Sequence, residues 1–251
     1  MRRPMVAGNW KMHGSLSMVQ ELTAALKADP ITSDPEVNVA VFPPFVYLPE
    51  TRACLDGSPI HWGAQNLSEH ESGAYTGEVA ASMLLDTGCR YVLVGHSERR
   101  TLYGETDEIV ARKFRAARQA GLIPVLCIGE TLEEREADQT EAVIERQLKA
   151  VLDSETIQEL GTGVIAYEPV WAIGTGKTAT PDQAQAVHQF IRGKLATHDA
   201  TIADSMIILY GGSVKGSNAA DLFGMPDIDG GLVGGASLKA QEFLEIVRSA
   251  L

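Results

Sequence analysis

The feature that most constrains the fold is a repeating unit of an apolar run, a turn with Gly or Asn, and a longer helical pattern. The runs are rich in β-branched residues and mostly continuous, which is typical of parallel strands covered on both faces. This unit predicts an α/β fold with a parallel sheet. Eight such runs cover residues 5–9, 37–42, 60–66, 90–96, 122–129, 163–169, 206–212 and 230–235.

The segments between these runs carry start signals and apolar spacing of helices. Ser17 opens one segment with a possible capping box, Thr106 precedes another, and Thr180 with Pro181 begins a third. Apolar residues at helical spacing also mark 140–152 and 237–251. Helices are therefore expected between successive strands.

Eight strand–helix units in 251 residues fit a (β/α)₈ barrel. A doubly wound open sheet is the alternative, and it usually carries a glycine fingerprint after its first strand. Here that position reads Gly-Asn-Trp-Lys (8–11), without the fingerprint. Because no linker or composition break interrupts the chain, we expect one barrel domain over 1–251.

The charge and composition limit the partners and the compartment. A formal net charge of −12 argues against nucleic acid and acidic membranes as partners. No run approaches the roughly 18 apolar residues of a membrane span, and the N-terminus does not resemble a signal peptide. The 3 cysteines are widely spaced, which favours reduced thiols and a cytoplasmic protein. An anionic substrate would need a local binding device.

Polar residues gather where the predicted strands end, which is where barrels place catalytic groups. Each has a plain structural explanation, such as a surface cation, a hydrogen-bonded histidine or a tight-turn glycine. Their joint occurrence on one face favours an active site instead. The positions are Asn9, Lys11, Gln65, Asn66, His96, Ser97, Glu98, Arg99, Glu130, Glu168, Gly211, Gly212, Ser213, Gly234 and Gly235.

These residue types indicate a particular chemistry. A carboxylate such as Glu168 can remove a proton next to a carbonyl, while His96 and Lys11 can polarise the carbonyl oxygen. Glycine turns after the last two strands offer backbone N–H groups, and barrels commonly bind phosphate there. The sequence therefore predicts proton transfer next to the carbonyl of a small phosphorylated substrate.

The segment YEPVWAIGTGKTAT (167–180) ends in GTGKT, which invites a nucleotide-binding interpretation. A phosphate-binding loop of the Walker A type needs a glycine where this chain has Trp171. We therefore reject a nucleotide-hydrolysing function for this segment.

Several longer motifs resemble those of the triosephosphate isomerase family. They run in the family's order from residue 9 to residue 238, so the resemblance covers nearly the whole chain. YEPVWAIGTGKTA together with VGHSERR is highly specific. The motifs are NWK (9–11), GAYTGE (73–78), VGHSERR (94–100), CIGE (127–130), YEPVWAIGTGKTAT (167–180), YGGSV (210–214) and LVGGASL (232–238).

The resemblance implies interconversion of dihydroxyacetone phosphate and D-glyceraldehyde 3-phosphate in glycolysis and gluconeogenesis, with no cofactor and no metal. This family is itself a standard example of a carboxylate base, a neutral histidine and a closing loop. By resemblance, Glu168 is the base and His96 the neutral electrophile. Lys11 is the cation beside the substrate, and Asn9 is an oxyanion donor.

The resemblance also implies a phosphate site and supporting residues. Ser97 would hold the base in the open site, and Glu98 would accompany Lys11. A lid over 172–176, with hinges at 169–171 and 177–179, would be tied down by Tyr210 and Ser213. The phosphate would rest on the backbone N–H groups of Gly174, Ser213, Gly234 and Gly235.

The GAYTGE loop, with Thr76 at its tip, resembles the arm that enters a partner subunit, so a homodimer is implied. His13 stands where Asn is expected in many relatives, and this departure lies in the expected interface loop.

Two other functions stay open on the residues alone. A glycoside hydrolase on a barrel needs two carboxylates that flank a sugar bond, and Glu168 with Glu98 or Glu130 is the candidate pair. A barrel without catalytic activity is the other alternative, and the intact Lys11, His96 and Glu168 argue against it.

Overall fold

The computed structural model describes residues 2–174 and 178–251, and its centre is a closed barrel of parallel strands. Each strand pairs with the next one in the chain, and the last pairs with the first. The prediction of a (β/α)₈ barrel is confirmed. The strands are β1 (Met5–Asn9), β2 (Asn38–Phe42), β3 (His61–Ala64), β4 (Tyr91–Val94), β5 (Ile123–Ile128), β6 (Val164–Tyr167), β7 (Ile208–Tyr210) and β8 (Gly230–Val233).

Helices surround the barrel and connect its strands. Short 3₁₀ helices lie at 30–33, 45–47, 170–172 and 235–238. The α-helices are α1 (Leu16–Ala28), α2 (Leu48–Leu55), α3 (Ala81–Asp86), α4 (Ser97–Tyr103), α5 (Asp107–Ala120), α6 (Leu132–Glu136), α7 (Thr140–Leu152), α8 (Ile157–Leu160), α9 (Pro181–Ala196), α10 (Ala200–Ser205), α11 (Gly216–Phe223) and α12 (Ala240–Arg248).

The helix starts test the predicted caps. The start expected at Ser17 is wrong, because Ser15 caps α1 by accepting a hydrogen bond from the Met18 N–H. Thr106 caps α5, and Thr180 forms a capping box with Gln183 at α9, as predicted. The last helix begins later than predicted because residues 235–238 form a 3₁₀ turn first.

The core has two layers. Inside the barrel, alternate residues of the strands pack against one another, and Ala7, Phe42 and Leu209 are fully buried there. Between the strands and the helices lies a larger cluster that includes Trp10 and Phe243. Burial on both faces accounts for the continuous apolar runs of the sequence. In the described part of the chain, no helix is long and apolar enough to cross a membrane; the cytoplasmic location stays a prediction.

Candidate active site

A cavity of about 340 Å³ opens at the carboxyl ends of the strands. It collects side chains and backbone from the first, fourth, sixth, seventh and eighth strand ends. Ten residues predicted from the sequence line it together: Asn9, Lys11, His96, Glu168, Gly174, Gly211, Gly212, Ser213, Gly234 and Gly235. The further predicted residues Ser97, Glu98 and Tyr210 are not part of its lining, and the first two contact residues that are.

Glu168 directly follows β6, and only 2% of its surface is exposed. Its Oε1 lies 2.9 Å from Nε2 of His96, and its Oε2 accepts a hydrogen bond from the Ser97 N–H at 2.8 Å. Burial favours the neutral acid, but His96, the Ser97 N–H and Lys11 together lower the pKa of Glu168. The carboxylate is therefore ionised at neutral pH despite its burial.

His96 is the N-cap of α4, and its ring is nearly enclosed. Its Nδ1 accepts a hydrogen bond from the Glu98 N–H at 3.2 Å, so the proton of the neutral ring belongs on Nε2, facing Glu168. Burial lowers the pKa of His96, but the neighbouring Glu168 carboxylate outweighs it and raises the pKa above its ordinary value. The charge of the His96 ring therefore depends on whether the Glu168 carboxylate stays beside it.

Lys11 has a left-handed backbone with φ of 51°, which is uncommon for a residue other than glycine. Two side chains hold this conformation. Asn9 Oδ1 accepts from the Lys11 N–H at 3.0 Å, and Gln65 Nε2 donates to the Lys11 carbonyl at 2.8 Å. Strain of roughly 1–3 kcal/mol is typical of such positions and concentrates at functional sites. The Lys11 Nζ lies 2.5 Å from Glu98 Oε1.

Glycine turns after β7 and β8 bring backbone to the cavity without side chains in the way. A Cβ on Gly211 would lie 2.9 Å from Cγ of Glu168, so only glycine leaves this carboxylate its place. Gly234 and Gly235 begin the 3₁₀ helix at 235–238, where backbone N–H groups are unpaired at the start of a helical turn. Such a terminus favours anions.

Comparison with known sequences gives the family. The model of the family described as "TIM: Triosephosphate isomerase" matches residues 4–250. The chain belongs to the triosephosphate isomerase family. A relative of that name from Thiobacillus denitrificans is 62% identical over 250 residues, which is 100% of this chain and 99% of the relative. Another, from Nitrosococcus oceani, is 58% identical over 250 residues and covers 100% of both chains.

The resemblance to the triosephosphate isomerase family predicts a lid at 172–176, and the structure describes this lid only in part. Residues 175–177 lie outside the described residues, and with them part of the lid and of its second predicted hinge. The first hinge contains a 3₁₀ turn at 170–172, and Gly174 follows with φ of 69°. Burial raises the pKa of the Tyr210 phenol to about 12, partly offset by the backbone of Ala179.

Glu130 does not line the cavity, although it follows the end of β5. It is fully buried, and its Oε1 lies 3.1 Å from the Tyr167 hydroxyl, 2.9 Å from Trp171 Nε1 and 3.2 Å from Arg135 Nη1. Arg135 also places its Cζ 4.5 Å from the centre of the Trp171 ring. Glu130 thus supports the segment that follows Glu168. Nothing in the sequence of α6 marks Arg135 for this contact.

Asn66 does not line the cavity either. Its Oδ1 accepts a hydrogen bond from Lys113 Nζ at 2.8 Å, and the same Nζ also donates to Glu105. The glycosidase-type pairs are not assembled either. Glu98 is engaged by Lys11, and Glu130 lies behind the cavity wall. Glu168 is therefore the one predicted carboxylate that lines the cavity.

Other lining residues were not predicted from the sequence. Leu232 and Ile173 contribute apolar wall, and Lys215 and Lys239 lie at the glycine turns. Lysines in exposed loops and helices carry no sequence signal that separates them from an ordinary solvated face. In the part of the chain that the structure describes, no group of three or more His, Cys, Asp or Glu side chains is arranged to hold a metal.

Proposed function

We propose that the chain interconverts dihydroxyacetone phosphate and D-glyceraldehyde 3-phosphate through an enediolate, as a triosephosphate isomerase. The observation that carries this proposal is the ionised, buried Glu168 beside His96, in a cavity that Lys11 and the glycine turns also line. Family membership supports the same reaction. One base with two oxygen-polarising groups fits proton transfer between adjacent carbons.

In the proposed reaction, Glu168 removes a proton from the carbon that bears the hydroxyl group and returns it to the neighbouring carbon. The proton of that hydroxyl group passes to the former carbonyl oxygen, so that the hydroxyl and the carbonyl exchange places. To reach the substrate, its carboxylate must leave Nε2 of His96 and the Ser97 N–H, which now hold it. Ser97 thus serves as the resting place of the base. No other carboxylate lines this cavity within the described ranges 2–174 and 178–251 except Glu242 near Lys239.

We assign His96, Lys11 and Asn9 to the carbonyl oxygen. Release of Glu168 frees the Nε2–H of His96, and it also removes the main cause that raises the pKa of this imidazole. Burial, the Glu98 N–H and Lys11 then favour the neutral ring. Asn9 has committed its Oδ1 to the Lys11 N–H, so its amide nitrogen is the end left for the oxyanion.

The phosphate group is assigned to the glycine turns. Gly174, Ser213, Gly234 and Gly235 line the cavity, and their backbone N–H groups are the donors that we assign to the phosphate. They give an acidic protein the local anion site that its net charge of −12 demands. This mechanism needs no cofactor and no metal, and we treat 1–251 as one domain that carries all of it.

We further propose that the protein is a homodimer with the Thr76 loop at the interface. Loops and helices after β1, β2, β3 and β4 are neighbours in the barrel and each exposes a large apolar side chain. Met12 is 93% exposed, Val46 76%, Tyr75 45% and Leu102 70%. Sedimentation analysis over a dilution series should give a dimer mass, and a monomer at micromolar concentration would contradict this proposal.

The activity is tested with purified protein in two coupled assays, one started from each triose phosphate. Both directions should turn over without added metal or cofactor, and chelator should have no effect. A panel of glycosides is the comparison. Release of reducing sugar without triose phosphate turnover would replace the isomerase by the hydrolase.

A further inference from the structure

Four residues form a cluster at the end of the barrel opposite to the cavity, and we name Arg3, His61, Arg90 and Tyr91 the floor cluster. Arg3 precedes β1, His61 opens β3, and Arg90 directly precedes Tyr91, the first residue of β4. Arg90 Nη1 lies 3.0 Å from Nε2 of His61, and the His61 and Tyr91 ring centres are 5.9 Å apart. The Arg90 Cζ lies 5.7 Å from the centre of the Tyr91 ring.

The floor cluster gathers positive charge without a carboxylate. Among the described residues, most arginines form an ion pair, whereas Arg3, Arg52 and Arg90 form none. Burial, Arg90 and Arg3 all lower the pKa of His61, and no acidic group opposes them. Burial raises the pKa of Tyr91, while Arg90 and Arg3 lower it. Arg3 Nη2 donates to the Val37 carbonyl at 2.8 Å, directly before β2, the strand between β1 and β3.

This arrangement is unusual for a chain with 33 acidic and 21 basic residues, where a carboxylate partner is easily supplied. The adjacent Arg2 illustrates the ordinary solution, because its Nε lies 2.5 Å from Asp229 Oδ1. Two guanidinium groups that lack a carboxylate partner repel one another, and a bound anion relieves that repulsion. Guanidinium groups present forked N–H donors that match the oxygens of phosphate.

We propose that the floor cluster binds a tetrahedral oxyanion of the phosphate class, held by Arg3 and Arg90. The Nδ1–H of His61, whose Nε2 accepts from Arg90, and the Tyr91 hydroxyl are further donors. The Tyr91 hydroxyl has no hydrogen-bond partner in ranges 2–174 and 178–251, so it is available. The site is separate from the cavity and does not depend on the isomerase assignment. Asp204, near Arg2 and Arg3, is the acidic group on its flank.

The test follows the imidazole NMR signals of His61 while inorganic phosphate replaces chloride at constant ionic strength. A His61→Gln variant identifies the signals. We expect a saturable shift and a rise in the pKa of His61, because the anion offsets the two arginines. Arg90→Gln should weaken the apparent affinity by roughly tenfold or more, the loss expected for a charge-assisted hydrogen bond.

Arg52→Gln is the matched control, because Arg52 is another arginine without an ion pair, and its Nη1 donates to the Asp86 carbonyl on a different surface. It should leave the titration unchanged. A second variant, Arg90→Lys, keeps the positive charge but removes the forked N–H donors of the guanidinium group. Its affinity for phosphate should therefore lie between those of wild type and Arg90→Gln. Circular dichroism verifies that each variant is folded.

Two outcomes overturn the proposal. A shift that stays linear in phosphate, or that is equal in wild type and Arg90→Gln, means that only general ionic screening acts on His61. Equal binding of planar acetate removes the assignment to a tetrahedral anion. Sulfate should bind in the same way as phosphate.

Discussion

The two ends of the barrel both bury charged side chains, but they use them differently. At the amino end of β7 and β8, Arg192 Nε lies 2.7 Å from Asp227, its Nη2 lies 2.8 Å from Asp229, and its Nη1 donates to two backbone carbonyls. At the carboxyl end, Glu168 and Lys11 have partners that they must give up when a ligand enters. The Arg192 network at the amino end is fully hydrogen-bonded, whereas the cavity groups must exchange their present partners for a ligand.

This difference separates stability from function. A buried ion network with all its donors engaged changes little during a reaction, and its loss leaves charges without partners. The cavity end keeps a strained Lys11 and donors that face solvent, arrangements that cost stability and belong to a binding site. Substitutions at one end should therefore affect unfolding, and substitutions at the other should affect turnover.

Arg192→Gln should give the largest effect. It leaves the partly buried Asp227 without its cation, takes one of two arginine partners from Asp229, which keeps Arg2, and removes two hydrogen bonds to buried carbonyls. The free energy of unfolding should therefore fall by about 3–5 kcal/mol. Turnover per folded molecule should stay unchanged. Urea unfolding measures the loss, and Lys149→Gln, which breaks the exposed pair with Asp153, is the control at under about 1 kcal/mol. A loss of turnover in folded Arg192→Gln would break the separation of the two ends.

Lys11→Met should be next. Removing one group that stabilises a developing oxyanion costs roughly 10²–10³-fold in kcat. The half-exposed pair with Glu98 contributes little to stability, so the melting temperature should barely move. Steady-state kinetics and thermal melts measured on the same sample decide it. Near-normal kcat would remove Lys11 from the catalytic assignment.

Gly211→Ala should displace the base. The added methyl group would lie 2.9 Å from Cγ of Glu168, so the carboxylate must shift. A misplacement of about 1 Å costs on the order of 100-fold in rate. Gly193→Ala is the control, because a Cβ there meets nothing within 4 Å. If Gly211→Ala keeps full kcat, the position of Glu168 is less constrained than the structure implies.

His188→Gln should leave turnover unchanged and alter how stability depends on pH. Burial lowers the pKa of His188 to about 3, partly offset by its hydrogen bond to the Asp227 backbone. The unfolded chain therefore binds a proton that the folded chain rejects, and stability falls as pH drops below about 6.5. This contribution, up to about 1.4 kcal/mol per pH unit, should be absent in the variant.

Urea unfolding at neutral and mildly acidic pH measures that slope. The exposed His198 provides the control, since His198→Gln should leave the slope as in wild type. Identical slopes in all three proteins would mean that His188 is not held neutral by burial.

All eight strands could be predicted from the sequence, because a strand that is buried on both faces needs apolar residues at successive positions. The prediction overran their ends, as at β7, where 206–212 was expected and Ile208–Tyr210 is observed. The residues at those ends are also apolar or glycine, so hydropathy does not mark where pairing stops. The predicted cap at Ser17 was wrong for a similar reason, since Ser15 and Ser17 are both followed by helical spacing.

The site was predicted as far as position along the chain determines it. Asn9, His96 and Glu168 end strands and do line the cavity. Glu130 and Asn66 also follow strand ends, but they do not line the cavity. Glu130 accepts a hydrogen bond from Trp171 instead, and Asn66 accepts one from Lys113. Side-chain direction in a loop is set by partners far away in sequence, which a strand-end rule does not include.

The most direct test of the central assignment is an NMR comparison of wild type and Glu168→Gln with dihydroxyacetone phosphate in D₂O. The substitution keeps an oxygen that can accept from the Ser97 N–H, so the site should stay assembled. Wild type should form the aldehyde and incorporate deuterium next to the carbonyl, and the variant should slow both by at least roughly 10²–10⁴-fold. Deuterium uptake by Glu168→Gln at the wild-type rate would contradict Glu168 as the base.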